Sequence, residues 1–268
     1  MEFIRKQNYK VDDLIEIMRL LRSENGCPWD REQTHPSIRK NLIEEAYEVC
    51  DAIDRQDKEL LCEELGDVLL QVVFHSRIAQ EAGQFGIDDV ADGICKKLII
   101  RHPHIFADLS VADSDEVLDN WDEIKKREKG QQTATETLHS VPAVLPALMR
   151  SQKVQKRAAK TGFDYPDVLM AIEDLEKEIA ELKEVIAGKD KAGYTEELGD
   201  VIFSAVNVAR FLKVDAEESL TRSCEKFINR FEQVEKIADE QSLNMKEASI
   251  QCLIDLWNEA KLRSKDLK

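Results

Sequence analysis

Slid against itself by 133 positions, the 268-residue chain aligns residues 42–77 with residues 175–210 without a gap, and 14 of these 36 positions are identical. An internal repeat constrains the fold strongly, because each copy must build the same supersecondary unit. The shared positions are not only apolar. They include Glu45/Glu178, Glu48/Glu181, Glu63/Glu196, Glu64/Glu197, Leu65/Leu198, Gly66/Gly199 and Asp67/Asp200. Each copy therefore reads E-x-x-E, 15 intervening residues, then E-x-x-D.

The repeat sits in a chain poor in turn formers. Ten Gly and six Pro are about half the usual share, which predicts long helices. Apolar residues at helical spacing predict helices near 14–21, from 34–37 to 53, over 58–83 with Gly83 as C-cap, and over 88–100 and 114–129. Residues 130–141 show no periodicity. Helical patterns then resume at 142–160, 166–187, 191–212, 215–241 and 244–265, and no alternating strand pattern occurs. The expected fold is all-α, a tandem repeat of two helical-bundle domains, 1–130 and 142–268, joined by a linker over 131–141.

The hairpin geometry gives the acidic positions meaning. Residues equidistant from the turn of an antiparallel helix pair lie at one height. Glu45 and Asp67 are equidistant from Gln56, as are Glu48 and Glu64, and Gln56 lies in the expected turn 55–57. The second copy centres on Lys189, in the expected turn 188–190. Residues three apart share a helix face, so four carboxylates converge in each copy. Left bare they would repel; a hard divalent cation resolves this, and an all-oxygen donor set favours Mg²⁺ or Mn²⁺. Single E-x-x-E patterns are usually solvated faces; two copies at one spacing point to a site.

Matching cations and aromatics follow each hairpin. Lys97 and Arg101 stand four apart, as do Lys226 and Arg230, and Trp121-x-x-x-Lys125 is echoed by Trp257-x-x-x-Lys261. These pairs fit a phosphate clamp with a stacking platform for a base, and equally fit surface charge beside a buried Trp. Glu196 and its counterpart Glu63, beside the motif, are candidates for a general base.

A formal net charge of −16 opposes binding to nucleic acid and anionic membranes. The longest apolar run, 68–74, is too short to span a bilayer, and residues 1–14 lack the apolar core of a signal peptide. Six cysteines without a C-x-x-C pair read as reduced, buried thiols of a cytoplasmic protein. The D-D-x-x-D run at 88–92 resembles a diphosphate motif but reads as a helix cap. The Glu136-x-x-His139 pattern falls in the linker, which argues against a di-iron bundle. His75 reads as a satisfied core residue, and His102 and His104 as structural. The non-enzymatic alternative is an acidic helical scaffold or regulator whose repeat is purely architectural.

The segments Glu44-Glu45-Ala46-Tyr47-Glu48 with Glu64-Leu65-Gly66-Asp67, and Lys177-Glu178-Ile179-Ala180-Glu181 with Glu197-Leu198-Gly199-Asp200, resemble the MazG nucleoside triphosphate pyrophosphohydrolases, whose hallmark is E-E-x-x-E followed by E-x-x-D. The stretches Gly26-Cys27-Pro28-Trp29-Asp30 and Arg101-His102-Pro103-His104-Ile105-Phe106 are similar to that family's N-terminal domain. The resemblance implies tandem helical-bundle domains, a homodimer, and Mg²⁺-dependent conversion of NTPs or dNTPs to monophosphate and pyrophosphate. It also implies a role in nucleotide-pool control or stress response. It credits the C-terminal copy with catalysis, which makes Glu178, Glu181, Glu197 and Asp200 metal ligands and brings Lys226, Arg230 and Trp257 to the nucleotide. The intact N-terminal hallmark, Glu45, Glu48, Glu64 and Asp67, is a possible second site. The chain departs from the pattern at Lys177, where the first hallmark glutamate is missing, and at Asp174 and Gly193, where relatives carry lysines.

Overall fold

The computed structural model describes residues 4–263 apart from 108, 110, 112, 129 and 190. Every regular element among the described residues is helical. The chain divides into two compact units, 1–125 and 126–268. Among the described residues, no helix is long and apolar enough to cross a membrane.

The first unit contains α1 (Val11–Leu21), α2 (Pro28–Glu32), α3 (Arg39–Asp54), α4 (Lys58–Glu81), α5 (Ile87–Arg101), α6 (Pro103–Phe106) and most of α7 (Ser114–Glu128). Its core forms where α1 crosses α4: Met18, Ile38, Val73 and Phe74 are buried, with Leu14, Ile15, Leu70, Ile78 and Ile87 packed on them. The second unit contains α8 (Ala134–His139), α9 (Ala147–Ala159), α10 (Val168–Gly188), α11 (Tyr194–Phe211), α12 (Ala216–Glu240) and α13 (Ile250–Arg263). Its buried cluster joins α12 to α13 through Val234, Ile237, Ala238, Leu256 and Ala260. The start of α12 is tied to α9, where the Gln152 Oε1 accepts from the Ala216 amide at 3.1 Å and its Nε2 donates to the Val214 carbonyl at 2.7 Å.

Local capping chemistry explains where the helices begin. The Asp57 carboxylate accepts from the amides of Glu59 and Leu60 at 3.0 and 3.1 Å. Asp167 does the same for Leu169 and Met170 at 2.8 and 3.0 Å, and such caps satisfy otherwise orphaned N–H groups. The same chemistry displaces two expected boundaries. Ser37 donates to Gln33 Oε1 at 2.8 Å and accepts from the Thr34 amide at 2.9 Å, so residues 34–37 close a separate turn and α3 starts only at Arg39. Asn244 ties off its own turn by accepting from Lys246, and Ser249 accepts from Cys252 at 3.2 Å, so α13 starts at Ile250. Pro28, well placed at a first helical position, opens the short α2 that periodicity does not reveal.

The segment expected as a structureless linker holds α8. The Thr133 hydroxyl accepts from the Glu136 amide while the Glu136 carboxylate accepts from the Thr133 amide, forming a capping box. Thr137 and Val141 are buried, and Arg157 of α9 donates to Ser140 Oγ at 2.7 Å and to the Thr137 carbonyl. Lys129, Asp190 and residues 264–265, included in the expected helices and turns, lie outside the described residues.

Candidate active site

Two helix hairpins, α3–α4 and α10–α11, carry the repeated carboxylates. Their midpoint residues, Gln56 and Lys189, both adopt the left-handed conformation, with φ of 56° and 57°. The registers follow from these midpoints. Ser204 donates to Asp174 Oδ2 at 3.1 Å, and the two residues are equidistant from Lys189.

In the first hairpin Glu45, Glu48 and Glu64 each bring an oxygen within 4.8 Å of the others; in the second, Glu178, Glu197 and Asp200 do so. Asp67 and Glu181 lie outside these triplets, but their charges still reach them. Glu178 holds its proton above the ordinary carboxylate range, first through burial and then through the charges of Glu181, Asp174, Asp200 and Glu197. Burial likewise raises Glu197, followed by Glu181, Asp200 and Glu196. Glu45 is raised by burial, by a hydrogen bond with Glu48, and by the charge of Asp67. Glu64 is raised by burial and then by Glu48, Glu63 and Asp67. Each cluster is thus an electrostatically frustrated set of oxygens, a donor set that suits a hard divalent cation.

The downstream cations and aromatics meet within each unit. Arg101 lies over the Trp121 ring at 5.3 Å, and Lys125 Nζ is 5.4 Å from the same ring. In the second unit Arg230 lies 6.0 Å from the Trp257 centroid, and Phe227 packs against that indole at 5.1 Å. Lys226 and Lys261 are exposed on α12 and α13, and Glu63 and Glu196 are exposed beside their clusters.

The MazG nucleotide pyrophosphohydrolase domain matches residues 33–106 and again residues 166–235. Those spans contain the two carboxylate hairpins. The chain belongs to the MazG family. It is 43% identical over 263 residues to the nucleoside triphosphate pyrophosphohydrolase of Escherichia coli K12, covering 96% of this chain and 99% of that protein. The nucleoside triphosphate pyrophosphohydrolase/pyrophosphatase MazG of Thermotoga maritima is 42% identical over 250 residues, with 93% and 95% covered. YabN of Bacillus subtilis is 46% identical over 246 residues, which are 91% of this chain and 50% of that protein.

Several features of this MazG chain differ from the sequence expectation. His75 is not fully satisfied: its Nδ1 meets His35 Nδ1 at 2.8 Å in a stacked ring pair, while its Nε2 is buried without a hydrogen-bond partner. Nothing in the spacing of residues 35 and 75 signals that pair. The thiols are not buried either. Cys50, Cys62, Cys95 and Cys224, on the solvent-facing sides of α3, α4, α5 and α12, are exposed, and Cys27 and Cys252 are half-buried. Asp88–Asp92 acts as expected of a cap, with Asp89 accepting from the Gly86 amide at 2.8 Å. The Asp174–Ser204 contact lies outside the sequence expectation, although the midpoint rule that pairs Glu178 with Asp200 pairs these two as well.

Proposed function

We propose that this MazG protein hydrolyses nucleoside triphosphates, NTPs and dNTPs alike, at the α–β phosphoanhydride, giving nucleoside monophosphate and pyrophosphate, with Mg²⁺ as its ion and Mn²⁺ as a substitute. The observation that carries this reading is the convergence of three carboxylates within 4.8 Å in each hairpin, at positions that the repeat duplicates. The names of the Escherichia coli and Thermotoga maritima relatives support it.

In the second unit Glu178, Glu197 and Asp200, with Glu181 beside them, would hold the ion. Bound there, a divalent cation neutralises phosphate charge and acidifies a water. Glu196 takes the proton as water adds to the α-phosphorus and pyrophosphate leaves. Lys226, Arg230 and Lys261 supply positive charge to the phosphates, and Trp257, held by Phe227, offers the base a stacking surface. Glu45, Glu48, Glu64 and Asp67 form the corresponding set in the first unit. The protein works as a cytoplasmic homodimer in nucleotide-pool control or stress response, without engaging nucleic acid or membrane. Its net charge of −16 supports the latter, and the exposed apolar side chains of α4 and α11, among them Leu65, Leu198, Ile202 and Phe203, support a second copy.

The test is pyrophosphate release from an NTP in Mg²⁺ and in EDTA. Glu178→Gln and Glu197→Gln should each cut kcat/KM by about a thousandfold, the order expected when the groups holding a catalytic ion are lost. Turnover that persists in EDTA or in both variants would overturn the reading.

A further inference from the structure

The two hairpins differ at one height. Counting away from the turn, the pairs equidistant from Lys189 are Glu181 with Glu197, Glu178 with Asp200, and then Asp174 with Ser204. The corresponding third pair around Gln56 is Asn41 with Gln71, which carries no charge. Asp174 precedes Glu178 by four residues on α10, which places the two carboxylates one turn apart on one helix face. Its partners are neutral hydroxyls: Ser204 of α11 donates to Oδ2 at 3.1 Å, and the phenol of Tyr165, just ahead of α10, is hydrogen-bonded to the same carboxylate. Asp164, only one residue from Tyr165, is instead neutralised by Arg210, whose Nη1 donates to it at 2.9 Å. Asp174 is thus held in place from two sides by hydroxyls and without a cationic partner among these contacts, next to the cluster.

We infer that Asp174, fixed by Ser204 and Tyr165, is a positioning residue that biases the second unit's carboxylate cluster toward its cation and against phosphate arriving without one. Two effects give this bias. Repulsion from Asp174 drives the Glu178 carboxylate along α10 toward Glu181 and Glu197, where the other oxygens are, and the added charge deepens the potential felt by a divalent ion. The same charge opposes a bare triphosphate, so nucleotide affinity at this unit depends on metal more steeply than at the first. The inference rests on the reading of the carboxylates as metal ligands.

The test uses the whole chain carrying Glu45→Gln and Glu48→Gln, so that only the cluster of the second unit reports. Mn²⁺ binding is followed by electron paramagnetic resonance, and binding of an α,β-methylene nucleoside triphosphate in EDTA by calorimetry. Asp174→Asn should weaken Mn²⁺ about tenfold, the order expected for a unit charge acting on a divalent ion across one helix turn, and should strengthen metal-free nucleotide binding. Ser204→Ala should move both in the same directions by less, and Asp174→Glu should restore both. A merely structural residue would weaken both ligands, so loss of both with a lowered melting midpoint overturns the inference, as does no change in either. If Asp174→Asn unfolds the hairpin, Ser204→Ala decides by the same pair of readouts. If the parent binds no Mn²⁺, and Glu178→Gln changes nothing, it is the metal-site reading itself that fails.

Discussion

The carboxylates of the second hairpin make a pH dependence of known sign. Glu178 and Glu197 both hold their protons above the ordinary carboxylate range, burial being the largest cause for each. Without metal the native state therefore binds more protons than the unfolded chain. Their stabilising contribution is fully present below the ordinary carboxylate value and is lost as pH rises through the folded-state values. His75 works in the opposite direction, since burial and then His35 lower its affinity for a proton; its contribution is present above the unfolded value and is lost on acidification. The carboxylate effect is consequently read by difference. In EDTA, the double variant Glu178→Gln/Glu197→Gln should raise the melting midpoint at pH 7 and lose this advantage toward pH 5. An equal gain at both values would contradict the assignment. At this scale the sequence was informative where the repeat doubled a residue and silent where a partner came from elsewhere, as with His35 and His75 or Tyr165 and Asp174. Pairwise spacing reports neighbours on one helix and across a hairpin; it does not report what a preceding loop brings in.

At the level of the helices, the hairpins are centred on Gln56 and Lys189, and both sit at positive φ without being glycine. A side chain there costs roughly 1 kcal/mol that glycine avoids. Gln56→Gly and Lys189→Gly should each raise stability by up to about 1 kcal/mol in denaturant titrations, less the extra freedom that glycine gives the unfolded chain. A loss of stability would show that the turn side chains make contacts worth more than the strain. Asp57→Ala should cost about 1 kcal/mol by removing the cap over the Glu59 and Leu60 amides. The interiors and pairing of the long helices were readable because apolar periodicity and the repeat agree there, and so were the starts of α4, α5, α7 and α12, to within a residue. The starts of α3 and α13 were not, because Ser37, Asn244 and Ser249 close turns of their own in competition with helix propagation. Residues 131–141 lacked a helical period because α8 is too short, six residues, to display one.

The molecule as a whole is two units that each carry a carboxylate hairpin and an aromatic–cation pair. A two-site chain could divide turnover equally or assign it to one unit, and the family resemblance favours the second. Glu45→Gln should leave at least about half of the turnover, whereas Glu178→Gln should remove nearly all of it, the full loss of metal-assisted chemistry being of order a thousandfold. Equal losses would make the first unit an equal partner. The net charge of −16 belongs partly to this architecture, since eight of the 54 acidic residues lie in the two repeated motifs. The measurement that tests the central claim most directly is ³¹P NMR of the products formed from a nucleoside triphosphate in excess Mg²⁺. The account predicts equimolar nucleoside monophosphate and pyrophosphate, neither of them formed by Glu178→Gln; orthophosphate with nucleoside diphosphate as the products would contradict it.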